Sequence, residues 1–158
     1  KYKNNFEAHL MTLNPEKYII QLKQKGFKKV IFHYESLQNP AQAENIIQKA
    51  KQQKLVVFLA INPETQIEHI LPFTKQINGI LFMGVHPGKE HQSFISQVYN
   101  KIKQLKKLNK KIKVQVDGGV NFPVALRLSR LGVDAINSGS VIANAENPKE
   151  VYNKLKSL

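Results

Sequence analysis

The sequence contains no cysteine at all, which excludes disulfides and thiolate metal sites and suits a cytoplasmic setting. It also lacks any apolar run approaching the ~18–20 residues of a membrane span, so no membrane-spanning helix is expected. The opening "KYKNNFEAH" is basic but has no apolar middle, so it does not read as a signal peptide. Acidic residues are scarce, 11 Asp and Glu against 24 Lys and Arg, for a formal charge of +13. Such a balance suits nucleic acid or anionic substrates. Nucleic acid is disfavoured, because the lysines are spread through several helical patterns with no interleaved aromatic cluster for base stacking. In "QSFISQVYNKIKQLKKLNKK", for example, Ile95, Val98, Ile102 and Leu105 recur at helical spacing, while Lys101, Lys103, Lys106 and Lys107 mostly fall on the other side.

What is present, in 158 residues with 42% hydrophobic content, is one pattern written six times. Strand-like runs "NFEAHLM", "KKVIFH", "LVVFLAI", "GILFMGV", "IKVQVD" and "VDAINSG" are each followed by a polar turn and a helical pattern. The helices are expected at 15–25, 40–53, 64–76, 92–108, 122–131 and 147–157. Asn14-Pro15, Asn39-Pro40, Asn62-Pro63 and Asn147-Pro148 each precede a helical pattern, joining an N-cap acceptor to a residue whose φ is preset. Gly26, Gly79 and Gly132 fall between helix and strand, where a left-handed turn is expected.

Alternating strands and helices imply parallel β/α units, and nearly continuous apolar strands imply a sheet covered on both faces. No linker divides the chain, so residues 1–158 read as one domain. A dinucleotide-binding turn of the Gly-x-Gly-x-x-Gly type is missing after the first strand. Polar residues instead stand at successive strand ends: His9, His33, Asn62, His86, Asp117 and Ser138. Chemistry dispersed over the strand ends favours a (β/α)8 barrel over an open doubly wound sheet. Six units are fewer than eight, so the barrel reading needs two more units before Lys1 or a partner, a second copy included, to cover the open edge. A first residue of Lys1 rather than Met, with strand signal already at Phe6, reads as a piece of a longer protein.

Two turns point to phosphate. Gly118-Gly119 follows the fifth strand, and Ser138-Gly139-Ser140 follows the sixth. Barrels often hold a phosphate with backbone N–H groups of the loops after their last two strands. His9 and Asp117 admit two readings: ligands of one divalent cation (Zn, Mn or Fe(II) by donor type), or a core histidine and a helix cap. His33, His86 and His91 read as structural or loop residues.

In order and spacing, "FEAHLMTLNPEKYI", "VIFHYES", "FLAINPETQIEHI", "ILFMGVHPG", "KVQVDGGVN" and "NSGSVI" resemble the ribulose-phosphate 3-epimerases. The resemblance covers essentially the whole chain and places it at strands 3–8 of such a barrel. It implies inversion at C3 of D-ribulose 5-phosphate to give D-xylulose 5-phosphate, by two acid/base groups on opposite faces and a divalent metal. It further implies Asp117 as one acid/base and a metal ligand, and His9 as a second ligand at the substrate site. Met11 and Met83 match the methionines that crowd the reacting carbons. Gly118, Gly119, Gly139 and Ser140 match the phosphate cradle. Two departures stand out. The family's first two strands, with a Ser and a His-x-Asp segment carrying the other acid/base, have no counterpart in the chain. The usual Pro-Gly-Phe-Gly-Gly-Gln loop reads Pro87-Gly88-Lys89-Glu90-His91-Gln92. The expectation is therefore an epimerase-type isomerase that is inactive as residues 1–158 alone. The alternative is a degenerate barrel that binds a sugar phosphate or a partner protein without catalysis.

Overall fold

A computed structural model describes residues 6–88 and 92–158. The Lys89-Glu90-His91 departure lies outside the described residues. Six strands appear where the apolar runs predict them: β1 (Glu7–Leu10), β2 (Lys29–His33), β3 (Val56–Ile61), β4 (Gly79–Met83), β5 (Lys113–Asp117) and β6 (Ala135–Asn137). Hydrogen-bonded neighbours follow chain order, β1-β2-β3-β4-β5-β6. The chain resolves into two compact units, the first comprising residues 1–61 and 66–81 and the second residues 62–65 and 82–158. Strand β4 contributes to both.

In the first unit β1, β2 and β3 are parallel, with His9 opposite Ile31 and His33 opposite Ala60. Strands β2 and β3 are buried along almost their whole length, so the alternation of a half-exposed sheet is absent, as expected when both faces are covered. Ala43, Ile46, Ile47 and Ala50 of helix α2 (Pro40–Gln52) supply buried side chains at helical spacing. The Asn39 side chain accepts from the Gln42 N–H at 2.9 Å, capping α2 as its Asn-Pro start predicts. Asn14 does not cap. It precedes a 3-10 turn (Pro15–Lys17), and helix α1 is confined to Ile19–Gln24.

The expected helix over 64–76 is absent. Two 3-10 turns, Ile67–His69 and Leu71–Phe73, stand in its place. Pro72 has no N–H and its ring would collide with the carbonyl four residues back in an α-helix. The apolar spacing agrees: Ile67, Ile70 and Phe73 are buried at intervals of three, the period of a 3-10 helix. Gly79 does not turn left-handed either; it is the first residue of β4, whereas Gly26 and Gly132 take φ of +85° and +72°.

In the second unit β5 and β6 are parallel, with Asp117 opposite Asn137. Helix α3 (Gln97–Leu108) buries Val98, Tyr99, Ile102 and Leu105. Helix α4 (Phe122–Arg130) is capped by Asn121, which accepts from the Val124 N–H at 3.0 Å. That cap is easily overlooked because the proline stands one residue later than in the other Asn-Pro starts. A short helix α5 (Ser140–Ala143) and helix α6 (Pro148–Lys156) complete the unit. Two lysines of α3 are more than solvated surface: Lys101 Nζ donates to the carbonyls of Asn62 (3.1 Å) and Pro63 (2.7 Å), and Lys106 Nζ donates to Asp134 Oδ2 (3.1 Å). Among the described residues no helix is long and apolar enough to cross a membrane.

Candidate functional site

The second unit holds a cavity of about 650 Å³, lined by residues that include Gln92, Asp117, Gly118, Gly119, Gly139 and Ser140. Six of the residues singled out from the sequence, Asp117, Gly118, Gly119, Ser138, Gly139 and Ser140, therefore share one concavity. Their convergence follows from parallel pairing, which brings the carboxyl ends of β5 and β6, and the turns after them, to the same edge of the sheet. Asp117 is the last residue of β5 and its carbonyl accepts from the Gly84 N–H at 2.6 Å. Ser138 Oγ donates to the Val120 carbonyl at 3.0 Å, tying the two glycine-bearing turns together.

Gly118 and Gly119 take φ of +99° and +66°, the left-handed region that strains any residue with a Cβ. Space is also denied: a Cβ at Gly118 would come 2.5 Å from Val85 Cγ2, and one at Gly119 would come 2.8 Å from the Phe94 backbone nitrogen. The doublet thus presents bare backbone to the cavity for two independent reasons. Behind it, buried Gln115, on the same strand face as Asp117, donates through Nε2 to Asn137 Oδ1 at 2.8 Å.

Gln92 and Asn144 also line the cavity and were not among the residues picked from the sequence. Gln92 follows the departed loop, and its Nε2 donates to the His86 carbonyl at 2.6 Å. His86, assigned to a loop, forms an exposed pair with Glu64, Nδ1 to Oε1 at 2.7 Å. Met83 ends β4 at 4% exposure and is absent from the cavity lining.

The first unit carries the other named residues. Met11 directly follows β1 and is 63% exposed. His9, on β1, meets His33, on β2, across the strand pair. Since His9 is opposite Ile31, His33 lies two residues further on and the rings meet diagonally. Their planes lie within 9° of each other with centroids 4.9 Å apart, and the two Nε2 atoms face each other edge to edge at 2.8 Å. His33 is 7% exposed, and its Nδ1 lies 3.5 Å from Glu35 Oε2. Glu35 sits in the 3-10 turn Tyr34–Ser36, and Ser36 Oγ fastens the turn by donating to the His33 carbonyl at 2.7 Å. His33 thus has His9 as a partner, a pairing that no sequence spacing reveals.

Imidazole from His9 and carboxylate from Asp117 are donor types that suit Zn, Fe(II) or Mn. Among the described residues no group of three or more His, Cys, Asp or Glu stands together as a metal cluster.

Comparison with known proteins gives a consistent answer. The family described as "Ribulose-phosphate 3 epimerase family" matches residues 2–143. The chain is similar to a ribulose-phosphate 3-epimerase of Schizosaccharomyces pombe, 35% identical over 152 residues, covering 96% of the chain and 65% of the relative. A second relative of the same name, from Buchnera aphidicola, is 33% identical over 145 residues, covering 89% of the chain and 62% of the relative. The chain thus spans less than two thirds of the length of these relatives. In fold it is similar to a 3-hexulose-6-phosphate synthase structure, with TM-score 0.74 at 12% identity over 96% of the chain and 72% of that structure. Another, from Salmonella typhimurium, gives TM-score 0.71 at 15% identity, covering 90% of the chain and 66% of that structure. The architecture is α/β of the TIM-barrel type, represented by six β/α units.

Proposed function

The chain belongs to the ribulose-phosphate 3-epimerase family, and from that premise we propose that the protein interconverts D-ribulose 5-phosphate and D-xylulose 5-phosphate by proton transfer at C3. The observation that carries the proposal is the cavity in which Asp117 stands beside the bare backbone of Gly118 and Gly119 and the turn at Gly139 and Ser140. One carboxylate next to a backbone-lined concavity suits a substrate with an acidic carbon at one end and a phosphate at the other. The Asp117 carboxylate takes the C3 proton, and the C–H electron pair moves toward the C2 carbonyl to give an enediolate. Return of a proton to the opposite face yields the epimer. Gly118, Gly119, Gly139 and Ser140 hold the phosphate.

His9 and Asp117 are proposed to hold a divalent cation, with Zn, Fe(II) or Mn fitting the donor types. Two protein donors are fewer than such an ion takes, so water, substrate or groups outside the described residues complete its shell. When bound, the cation supplies Lewis-acid stabilisation of negative charge on the substrate oxygens.

Inversion needs an acid/base on each face, and within residues 1–158 only Asp117 is assigned one. We therefore infer that residues 1–158 alone do not invert the substrate. A cytoplasmic setting fits the cysteine-free composition. Among the described residues strands β1 and β6 each have one neighbour, so their outer edges suit pairing with further chain or a second copy.

The test is C3 proton exchange in deuterated water, followed by NMR. Full-length protein should wash deuterium into C3 and produce xylulose 5-phosphate, and Asp117→Asn should slow both by about 10²–10⁴-fold. Undiminished exchange by Asp117→Asn would remove Asp117 from the chemistry. Phosphate binding without any exchange by the full-length protein would favour a non-catalytic sugar-phosphate binder.

A further inference from the structure

We propose that His33 and Glu35 are positioning residues for His9, fixing its tautomer so that Nδ1 is the nitrogen bearing the lone pair. The proposal rests on the reading of His9 as a metal ligand and extends it to a three-residue chain within the first unit. Two imidazole Nε2 atoms 2.8 Å apart form a hydrogen bond only if one carries a proton and the other does not. Geometry on the far side of His33 decides which. Glu35 Oε2 lies 3.5 Å from His33 Nδ1, so the carboxylate favours the proton on that nitrogen and leaves Nε2 as acceptor. His9 must then donate from Nε2, and its Nδ1 is the basic nitrogen.

The arrangement is built rather than accidental. His33 is 7% exposed, so its ring has little freedom to turn to solvent instead. The ring planes lie within 9° of each other with their Nε2 edges facing, which holds the Nε2 atoms in line as the strand register sets the diagonal. The 3-10 turn carrying Glu35 is secured by Ser36 on the His33 carbonyl itself. Metal-ligating histidines generally donate their second N–H to a fixed acceptor, and disturbing that acceptor costs about 10–100-fold in metal affinity. In this chain the acceptor is a second imidazole, itself oriented by a carboxylate.

The experiment has two readouts, both on full-length protein. The first is long-range ¹H–¹⁵N NMR of the metal-free protein at mildly alkaline pH. It should show His33 protonated on Nδ1 and His9 on Nε2; the reverse assignment overturns the proposal. The second is Co(II) titration followed by visible absorption. His33→Phe keeps the aromatic ring and removes the acceptor, and should weaken Co(II) binding about 10–100-fold with little change in fold. His33→Gln, with an amide oxygen near the lost nitrogen, should recover part of that loss, and Glu35→Gln should weaken binding less than His33→Phe. If His33→Phe binds as tightly as wild type while His9→Ala loses the ion, positioning is wrong and the metal reading stands. If His9→Ala binds as tightly as wild type, the metal reading fails and the positioning role with it. Should His33→Phe not fold, the Glu35→Gln affinity and the tautomers decide.

Discussion

Asp117 and Asp134 stand at opposite ends of the same pair of parallel strands, and their surroundings differ in kind. Asp134 immediately precedes β6. Its carboxylate accepts from Lys113 Nζ at 2.7 Å, the Val114 N–H at 2.9 Å and Lys106 Nζ at 3.1 Å. It pins the start of β5 to the start of β6 and to helix α3. Asp117, at the end of β5, borders the cavity next to a doublet of glycines. In β/α architectures the amino ends of the strands serve stability and the carboxyl ends carry chemistry. Two aspartates 17 positions apart in sequence illustrate that division within one strand pair. Composition cannot distinguish them; the polarity of the strand does.

The largest effect that tests this division is kinetic. Asp117→Asn in the full-length protein should lower kcat/KM for the pentulose phosphate by about 10²–10⁴-fold, the usual worth of a positioned acid/base. Its melting temperature should fall less than that of Asp134→Asn, whose side chain bonds Lys113, Lys106 and the Val114 N–H. A variant that melted early yet kept its rate per folded molecule would reverse the roles assigned to the two ends.

Next comes a residue at which site and stability coincide. Gly119→Ala must place a Cβ at φ +66° and 2.8 Å from the Phe94 backbone nitrogen. Strain and overpacking together should cost about 2–5 kcal/mol in denaturant unfolding. Titration calorimetry should show weaker sugar-phosphate binding as well, because the added methyl forces the cradle to move. Normal stability and normal binding would mean that the backbone there relaxes freely, contrary to the tight packing against Phe94.

These residues also mark what the sequence makes legible. Val-Asp-Gly-Gly is readable because its demands are local: a strand end, a left-handed doublet, a carboxylate that an apolar strand would not carry idly. The six strands are readable for the same reason, as runs bounded by turn residues. The helix expected over 64–76 is not there because Pro72 and the spacing of Ile67, Ile70 and Phe73 outweigh the general apolar pattern. The His9–His33 pair is invisible because it arises from strand register, a diagonal between residues 24 positions apart. Likewise Lys101 and Lys106 look like solvated surface until their acceptors, Asn62, Pro63 and Asp134, are in place.

The stabilising end of the strand pair is tested by Asp134→Asn. Losing the charge weakens the bonds to both lysines and turns an amide donor toward one of its former donors. The expected cost is about 1.5–3 kcal/mol, the range for hydrogen bonds to a charged group. The rate per folded molecule should not change, since Asp134 is remote in the strand from the cavity end. A rate loss matching that of Asp117→Asn would show that the two ends are not separable.

The smallest effect is the pH dependence of that contribution, and its sign is fixed by the surroundings of Asp134. Burial alone would raise its pKa, but the bonds from Lys113, the Val114 N–H and Lys106 more than reverse this and hold the carboxyl below its ordinary value. An unfolded aspartate titrates at about 3.9. Between that value and the lower folded one, the unfolded chain binds more protons than the folded chain, so acid favours unfolding. The stability Asp134 contributes is complete above the unfolded pKa and is lost as pH falls through the folded one. Urea unfolding at a series of pH values should therefore show wild type and Asp134→Asn separated at neutral pH and converging below about pH 4. Parallel curves across that range would mean that the lysines stabilise β5 and β6 without the ionised carboxylate, and the contrast with Asp117 would then rest on position alone.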